Sequence, residues 1–265
     1  MGFLRTSGKN PNQFEPIRAL LSLTDKSLPN SSFQAGQRAS PYMTIKLSPT
    51  QLCAYHGLQA GLAVGNVILL WGDTGLGKTT VLRELHAKLG GCLLTLKDFM
   101  DAQQSRHPLS LEETFAQLVM QALQSHDVVI VDDLGVLSGV MHGCGAYPRS
   151  GFLEVPLTAL ATYAIEAGKK LICAGSGSTA LQQRGYQFGI DEFDVEDYAF
   201  LCDTYLGAEL ASLLDYPKIF RFATKLNAHQ LKAACLWLKR DETLDTERFI
   251  EYLRSQYLAS NVNLG

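Results

Sequence analysis

The sequence predicts an α/β fold: a P-loop parallel sheet flanked by helices, followed by a small all-helical lid domain. Three observations carry the prediction. Val67–Trp71 is a short unbroken apolar run that feeds a glycine-rich turn and then a stretch of helical period. A second apolar run, at 128–131, ends in two carboxylates. From residue 194 onward the apolar spacing is helical throughout, and a sheet followed by a run of helices implies two domains.

Length and composition fit that plan. The chain has 265 residues, 46% hydrophobic and 18% charged, enough for one large domain with a smaller one attached. A formal net charge of -3 gives no electrostatic reason to expect nucleic acid or a membrane surface as a partner. Cys53, Cys92, Cys144, Cys173, Cys202 and Cys235 form no C-x-x-C pair and read as reduced thiols, which points to a cytoplasmic setting. The first nine residues lack a signal-peptide core, and no apolar run reaches bilayer length.

Residues 1–45, rich in Ser, Pro, Gln and Asn, read as an arm or linker with one apolar patch at 17–23. The α/β domain occupies 46–193. It opens with a short strand at 44–47 and a helix over 51–62, started by Ser48-Pro49-Thr50. The buried strand Val67–Trp71 follows, then the loop Gly72, Asp73, Thr74, Gly75, Leu76, Gly77, Lys78, Thr79, Thr80. Gly72, Gly77, Lys78 and Thr79 match the phosphate-binding pattern G-x-x-x-x-G-K-[ST].

Charge explains the pattern. A helix N-terminus offers unpaired amides and a partial positive charge, and glycines let those amides curl around a phosphate with no Cβ in the way. Lys78 is placed to reach the β- and γ-phosphates, and the Thr79 hydroxyl to coordinate Mg²⁺. A glycine-rich turn before an ordinary helix would leave the lysine and threonine unexplained.

Val81, Leu82, Leu85 and Leu89 continue the helix up to Gly90-Gly91. Residues 92–96 read as a second strand and 97–109 as a loop. Ser110-Leu-Glu-Glu113 reads as a capping box opening a helix with Phe115, Leu118, Val119, Ala122 and Leu123 on one face. The run Asp-Val-Val-Ile-Val-Asp-Asp at 127–133 puts two acids at the carboxyl end of a buried strand, beside the loop. Asp132 is expected in the Mg²⁺ shell, and Asp133 is expected to polarise the attacking water.

Residues 137–151 read as a glycine-rich loop. Its His142 and Cys144 lack further ligands at metal spacing. A helix over 154–167 and a buried strand over 169–174 lead to Gly175-Ser176-Gly177-Ser178. The lid domain, 194–260, holds helical stretches at 195–206, 210–214, 216–224, 228–238 and 246–258, and 261–265 is a tail.

On these motifs the chain resembles an AAA+ ATPase of the AAA type, over residues 50–258. The resemblance implies ATP and Mg²⁺ as cofactors, ATP hydrolysis, and a homo- or hetero-oligomeric ring. It implies a sensor at Ser176, where the family commonly has Asn, and an arginine finger offered to a neighbouring subunit at Arg184. It puts His229, within 226–231, at the sensor-2 region. The family's pore-loop position reads Phe99-Met-Asp-Ala, with no glycine after the aromatic residue, and Asp133 stands where a Glu is common. Three functions follow: an ATPase driving assembly or remodelling of a protein partner, a structural ATP-binding module with weak or no turnover such as one module of a tandem AAA protein, and a DNA-replication loader.

Overall fold

A computed structural model describes residues 46–139, 153–175, 178–240 and 244–258. The arm at 1–45, the start of the expected 44–47 strand, His142, Cys144, Ser176 and the tail at 261–265 lie outside them.

Helix α1 (Pro49–Val64) starts behind Ser48, with proline at the first helical position, and stops at Gly65. Strand β1 (Val67–Trp71) then takes an interior place, one strand in from an edge, in the five-stranded sheet of the described residues. After the glycine loop come α2 (Lys78–Leu89), β2 (Cys92–Leu94), α3 (Leu96–Gln103), α4 (Leu111–Ser125), β3 (Val128–Val131) and α5 (Leu134–Gly139). The α/β part ends with α6 (Glu154–Glu166), β4 (Lys170–Ala174), α7 (Thr179–Arg184) and β5 (Tyr186–Gly189).

All five strands are parallel, in the order β2-β3-β4-β1-β5. Their period-2 alternation divides the core into two layers. Ile68, Leu70, Ile130 and Ile172 face α1, α2 and the helices after 194, whereas Val67, Leu69, Val129, Val131 and Leu171 face α4, α6 and α7. Each of these side chains is almost wholly out of water, a gain of about 2 kcal/mol apiece.

The helical part comprises α8 (Val195–Leu206), α9 (Ala208–Ala211), α10 (Tyr216–Phe222), α11 (Ala228–Leu238) and α12 (Thr246–Ser255). Asp194 caps α8 by accepting the Glu196 and Asp197 amides at 2.8 and 3.0 Å. Tyr198, fully buried, donates to the Ala223 carbonyl and accepts from the Leu226 amide, both at 2.8 Å, and burial pushes its phenol well above the ordinary range. These two hydrogen bonds tie α8 to the segment between α10 and α11.

Four expectations need correction. Of the expected loop at 97–109, residues 97–103 belong to helix α3. Thr95 precedes it, its amide and hydroxyl both donating to Asp98 at 2.8 and 2.6 Å, and Phe99 is its one buried residue. One apolar anchor in eight residues leaves no period to read. Residues 134–139 are likewise helical where a loop was expected from 137. Ser110 does not cap as predicted: its hydroxyl donates to the His107 carbonyl at 2.7 Å. Strand β5 has no counterpart in the expectations, because its exposed Tyr186 and Gln187 disguise a strand that lies at the sheet edge.

Candidate functional site

The carboxyl ends of β1, β3 and β4 open onto a cleft of about 680 Å³. Gly72, Thr74, Gly75, Gly77, Lys78, Thr79 and Thr80 line it from the glycine loop and the start of α2. Asp132 and Asp133 line it from the end of β3, and Ala174 and Gly175 from the end of β4. Such a crevice is where open α/β sheets hold their ligands.

The loop turns into α2 at Gly77, whose φ of +92° belongs to the left-handed region that glycine enters without cost. No side chain caps the helix there, so its first amides are left for a ligand. The Lys78 ammonium donates to the Gly72 and Asp73 carbonyls at 2.7 and 2.9 Å. Burial lowers its pKa, while Asp132, Asp73 and Asp133 pull the other way.

Asp132 is 3% exposed. Its backbone amide donates to the Leu94 carbonyl at 2.8 Å, which fixes the residue at the end of β3, and its carboxylate accepts the Asp133 amide at 2.9 Å. Asp133 has a φ of +58°, and aspartate tolerates this left-handed conformation better than most residues. Its pKa is raised, first by burial and then by the neighbouring Asp132 charge, against the opposing pull of Lys78 and Arg83.

The helical part closes the other side. The Ala228 amide, first in α11, donates to the Gly75 carbonyl at 3.0 Å, and a Cβ at Gly75 would fall 2.6 Å from Asn227 Cγ. Further along the same helix, His229 and Lys232 line the cleft, with the Lys232 ammonium 5.6 Å above the Tyr205 ring.

The structure therefore places Gly72, Thr74, Gly75, Gly77, Lys78, Thr79, Thr80, Asp132 and Asp133 on one cleft, while Ser176 lies outside the described residues. Asp73 and Leu76 belong to the loop but do not line the cleft: Asp73 is exposed, and Leu76 is buried with its carbonyl accepting from Gln51 Nε2 at 2.9 Å. Arg184 stands apart. It ends α7 at the amino side of β5, exposed, with its guanidinium turned back to the Ala180 carbonyl at 3.4 Å. Phe99 is a core residue, 6% exposed, in the layer under β2 and β3.

Gly135 and Val136 of the lining had no place in the expectations, nor had four side chains at or beside the cleft. Arg83 lies three and four residues after Thr80 and Thr79, hence on their face of α2, and that spacing was a usable signal. Lys232 follows His229 at the same spacing. Tyr205 and Gln51 carry no local signal, since each meets the site through tertiary contact alone.

The sheet order, the loop after β1 and the trailing helices define an α/β fold, a parallel sheet flanked by helices and followed by a helical region. Among solved structures with this fold is the replication initiator DnaA bound to AMPPCP and single-stranded DNA, at a TM-score of 0.50 and 15% identity. The match covers 81% of this chain and 66%, just under two thirds, of that one. At this identity the likeness is one of fold. No protein-family model and no curated protein matches the sequence.

Proposed function

We propose that this chain is an ATP-binding module of AAA+ type that hydrolyses ATP and couples nucleotide state to the assembly or remodelling of a protein partner. One observation carries the reading: an uncapped helix N-terminus, the Lys78 ammonium, the Thr79 hydroxyl and two strand-end carboxylates converge on a single cleft. A polyanion with a divalent cation matches that donor set.

Each residue then has a role. The loop amides and Lys78 bind the phosphates, for which Lys78 exchanges its two backbone carbonyls. Thr79 and Asp132, a hydroxyl and a buried carboxylate, are hard oxygen ligands suited to Mg²⁺, which would offset the charge of the bound phosphates. Asp133 orients a water and accepts its proton, and burial makes its carboxylate a stronger base than a solvated one. Residues 46–193 form the base and 194–260 the lid, which meets the loop through Ala228. Arg184 contacts nucleotide only across a boundary between copies, which requires an oligomer.

A second reading, ATP binding without turnover, draws support from Asp133 itself: an aspartate reaches less far than a glutamate, and its carboxylate is held by an unusual backbone angle. A third, a replication loader or initiator, draws on the fold neighbour, which holds single-stranded DNA. Against it stands the net charge of -3.

Steady-state ATP hydrolysis measured across protein concentration, with ATP binding in parallel and Lys78→Ala as the control, separates these. Turnover per copy that rises with concentration and disappears in the variant is the expected result. Binding without turnover at every concentration leaves the second reading, and salt-sensitive capture of single-stranded DNA favours the third.

A further inference from the structure

Beside the glycine loop stands a side chain that no phosphate-binding motif includes. Gln51, in the first turn of α1, is 3% exposed and uses both ends of its amide. Its Oε1 accepts the Ser48 amide at 3.1 Å, and its Nε2 donates to the Leu76 carbonyl at 2.9 Å. Leu76 immediately precedes Gly77. A Cβ on Gly77 would lie 2.2 Å from Gln51 Nε2, so loop and amide fit together only because residue 77 has no side chain.

The bond has a directional consequence. A trans peptide is planar, with its carbonyl and its N–H pointing opposite ways. Holding the Leu76 carbonyl against Gln51 therefore turns the Gly77 N–H away from Gln51, and Gly77 lines the cleft. A loop this rich in glycine has little of its own to hold that peptide in one orientation.

One residue earlier, the same turn grips the helical part. The Thr50 amide donates to Asp197 Oδ1 at 3.0 Å and its hydroxyl to Oδ2 at 2.5 Å. Asp197, in the first turn of α8, is fully buried and also accepts the Asp194 amide at 3.1 Å. Consecutive residues thus hold the lid's first helix and the glycine loop.

We infer that Gln51 is a positioning residue for the phosphate-binding loop, aiming the Gly77 amide at a nucleoside triphosphate, and that the Thr50–Asp197 pair transmits the lid's placement to it. The inference rests on the ATP-binding reading above. A purely structural glutamine would contribute to folding and leave the affinity of the folded protein alone.

The test is ATP affinity of the full chain, titrated with a fluorescent ATP analogue well below the melting temperature, with melting followed in parallel. Gln51→Glu keeps the shape but sets an acceptor against the Leu76 carbonyl, and affinity is expected to fall about tenfold. Should that variant not fold, Gln51→Asn, which keeps the amide but is one methylene short, is read in the same way. Thr50→Val is expected to weaken binding about threefold, and Thr50→Ser, which keeps the hydroxyl, to restore it. Folded Gln51 variants that melt earlier yet bind ATP as the parent does overturn the inference alone. A parent chain that binds no ATP overturns the ATP-binding reading, and this inference with it.

Discussion

At the amino end of the sheet, Lys170 donates to the Gly65 carbonyl at 2.7 Å and Lys169 to the His126 carbonyl at 3.1 Å. Asn66 closes the same corner on the Lys169 carbonyl at 2.9 Å. At the carboxyl end Lys78 also rests on two backbone carbonyls, yet its surroundings differ. Lys169 has the single carboxylate of Asp127 at 3.7 Å, itself almost fully exposed. Lys78 feels Asp73, Asp132 and Asp133 beside a cleft, and Asp133 sits at a positive φ. A lysine bonded to carbonyls is therefore ordinary architecture at either end. Uncapped helix amides, crowded carboxylates and a non-glycine residue at positive φ together set apart the end proposed to hold a phosphate.

The sharpest way to break this contrast is to remove each lysine. Lys78→Ala is expected to weaken ATP binding more than about a hundredfold. Lys169→Ala is expected to change it by less than about twofold and to cost about 1 kcal/mol of stability. Isothermal titration and thermal melting of the two variants measure both, and equal losses of affinity would erase the distinction.

Asp133→Asn probes the crowded carboxylates. Turnover is expected to fall by about 10²-fold or more, with ATP binding retained. Because the folded pKa of Asp133 is raised, its ionisation costs stability, a cost absent below the unfolded pKa and present once pH rises through the folded one. The asparagine variant should therefore melt above the parent at neutral pH, and the gap should close as pH falls through the carboxylate range. A gap that does not vary with pH would show that charge is not its source.

Two glycines sharpen the contrast in backbone terms. Gly168, near the amino end, has a φ of +68° with open space around it, so Gly168→Ala should cost about 1 kcal/mol. Gly75 combines a φ of +89° with the close approach of Asn227, so Gly75→Ala should cost about 2–3 kcal/mol and also weaken ATP binding. Denaturant melts of the pair decide it.

The smallest effect is expected at Arg184, at the amino end of β5. Arg184→Ala should leave ATP affinity of the dilute protein unchanged, and lower turnover only under conditions where the parent's turnover rises with concentration. A loss of affinity in the dilute variant would mean that the residue serves its own cleft.

Much of this was legible along the chain. Strand β1, the glycine loop and the helix after it are contiguous, so their order, period and residue types are readable from 67–89 without knowing what lies beside them. The acids at 132 and 133 were legible for the same reason: a four-residue apolar run fixes where the strand ends. Helix α3 was hidden by its single buried anchor, and β5 by the exposure of an edge strand.

Local backbone geometry and short-range periodicity already mark, along the chain, the glycine loop proposed to bind phosphate and the strand that carries the acids. Packing alone brings Gln51 to the loop from 25 residues away and Asp197 to Thr50 from 147 away, and sets Tyr205 and Ala228 on the cleft. A bond made only once distant helices pack leaves no periodic trace in the chain.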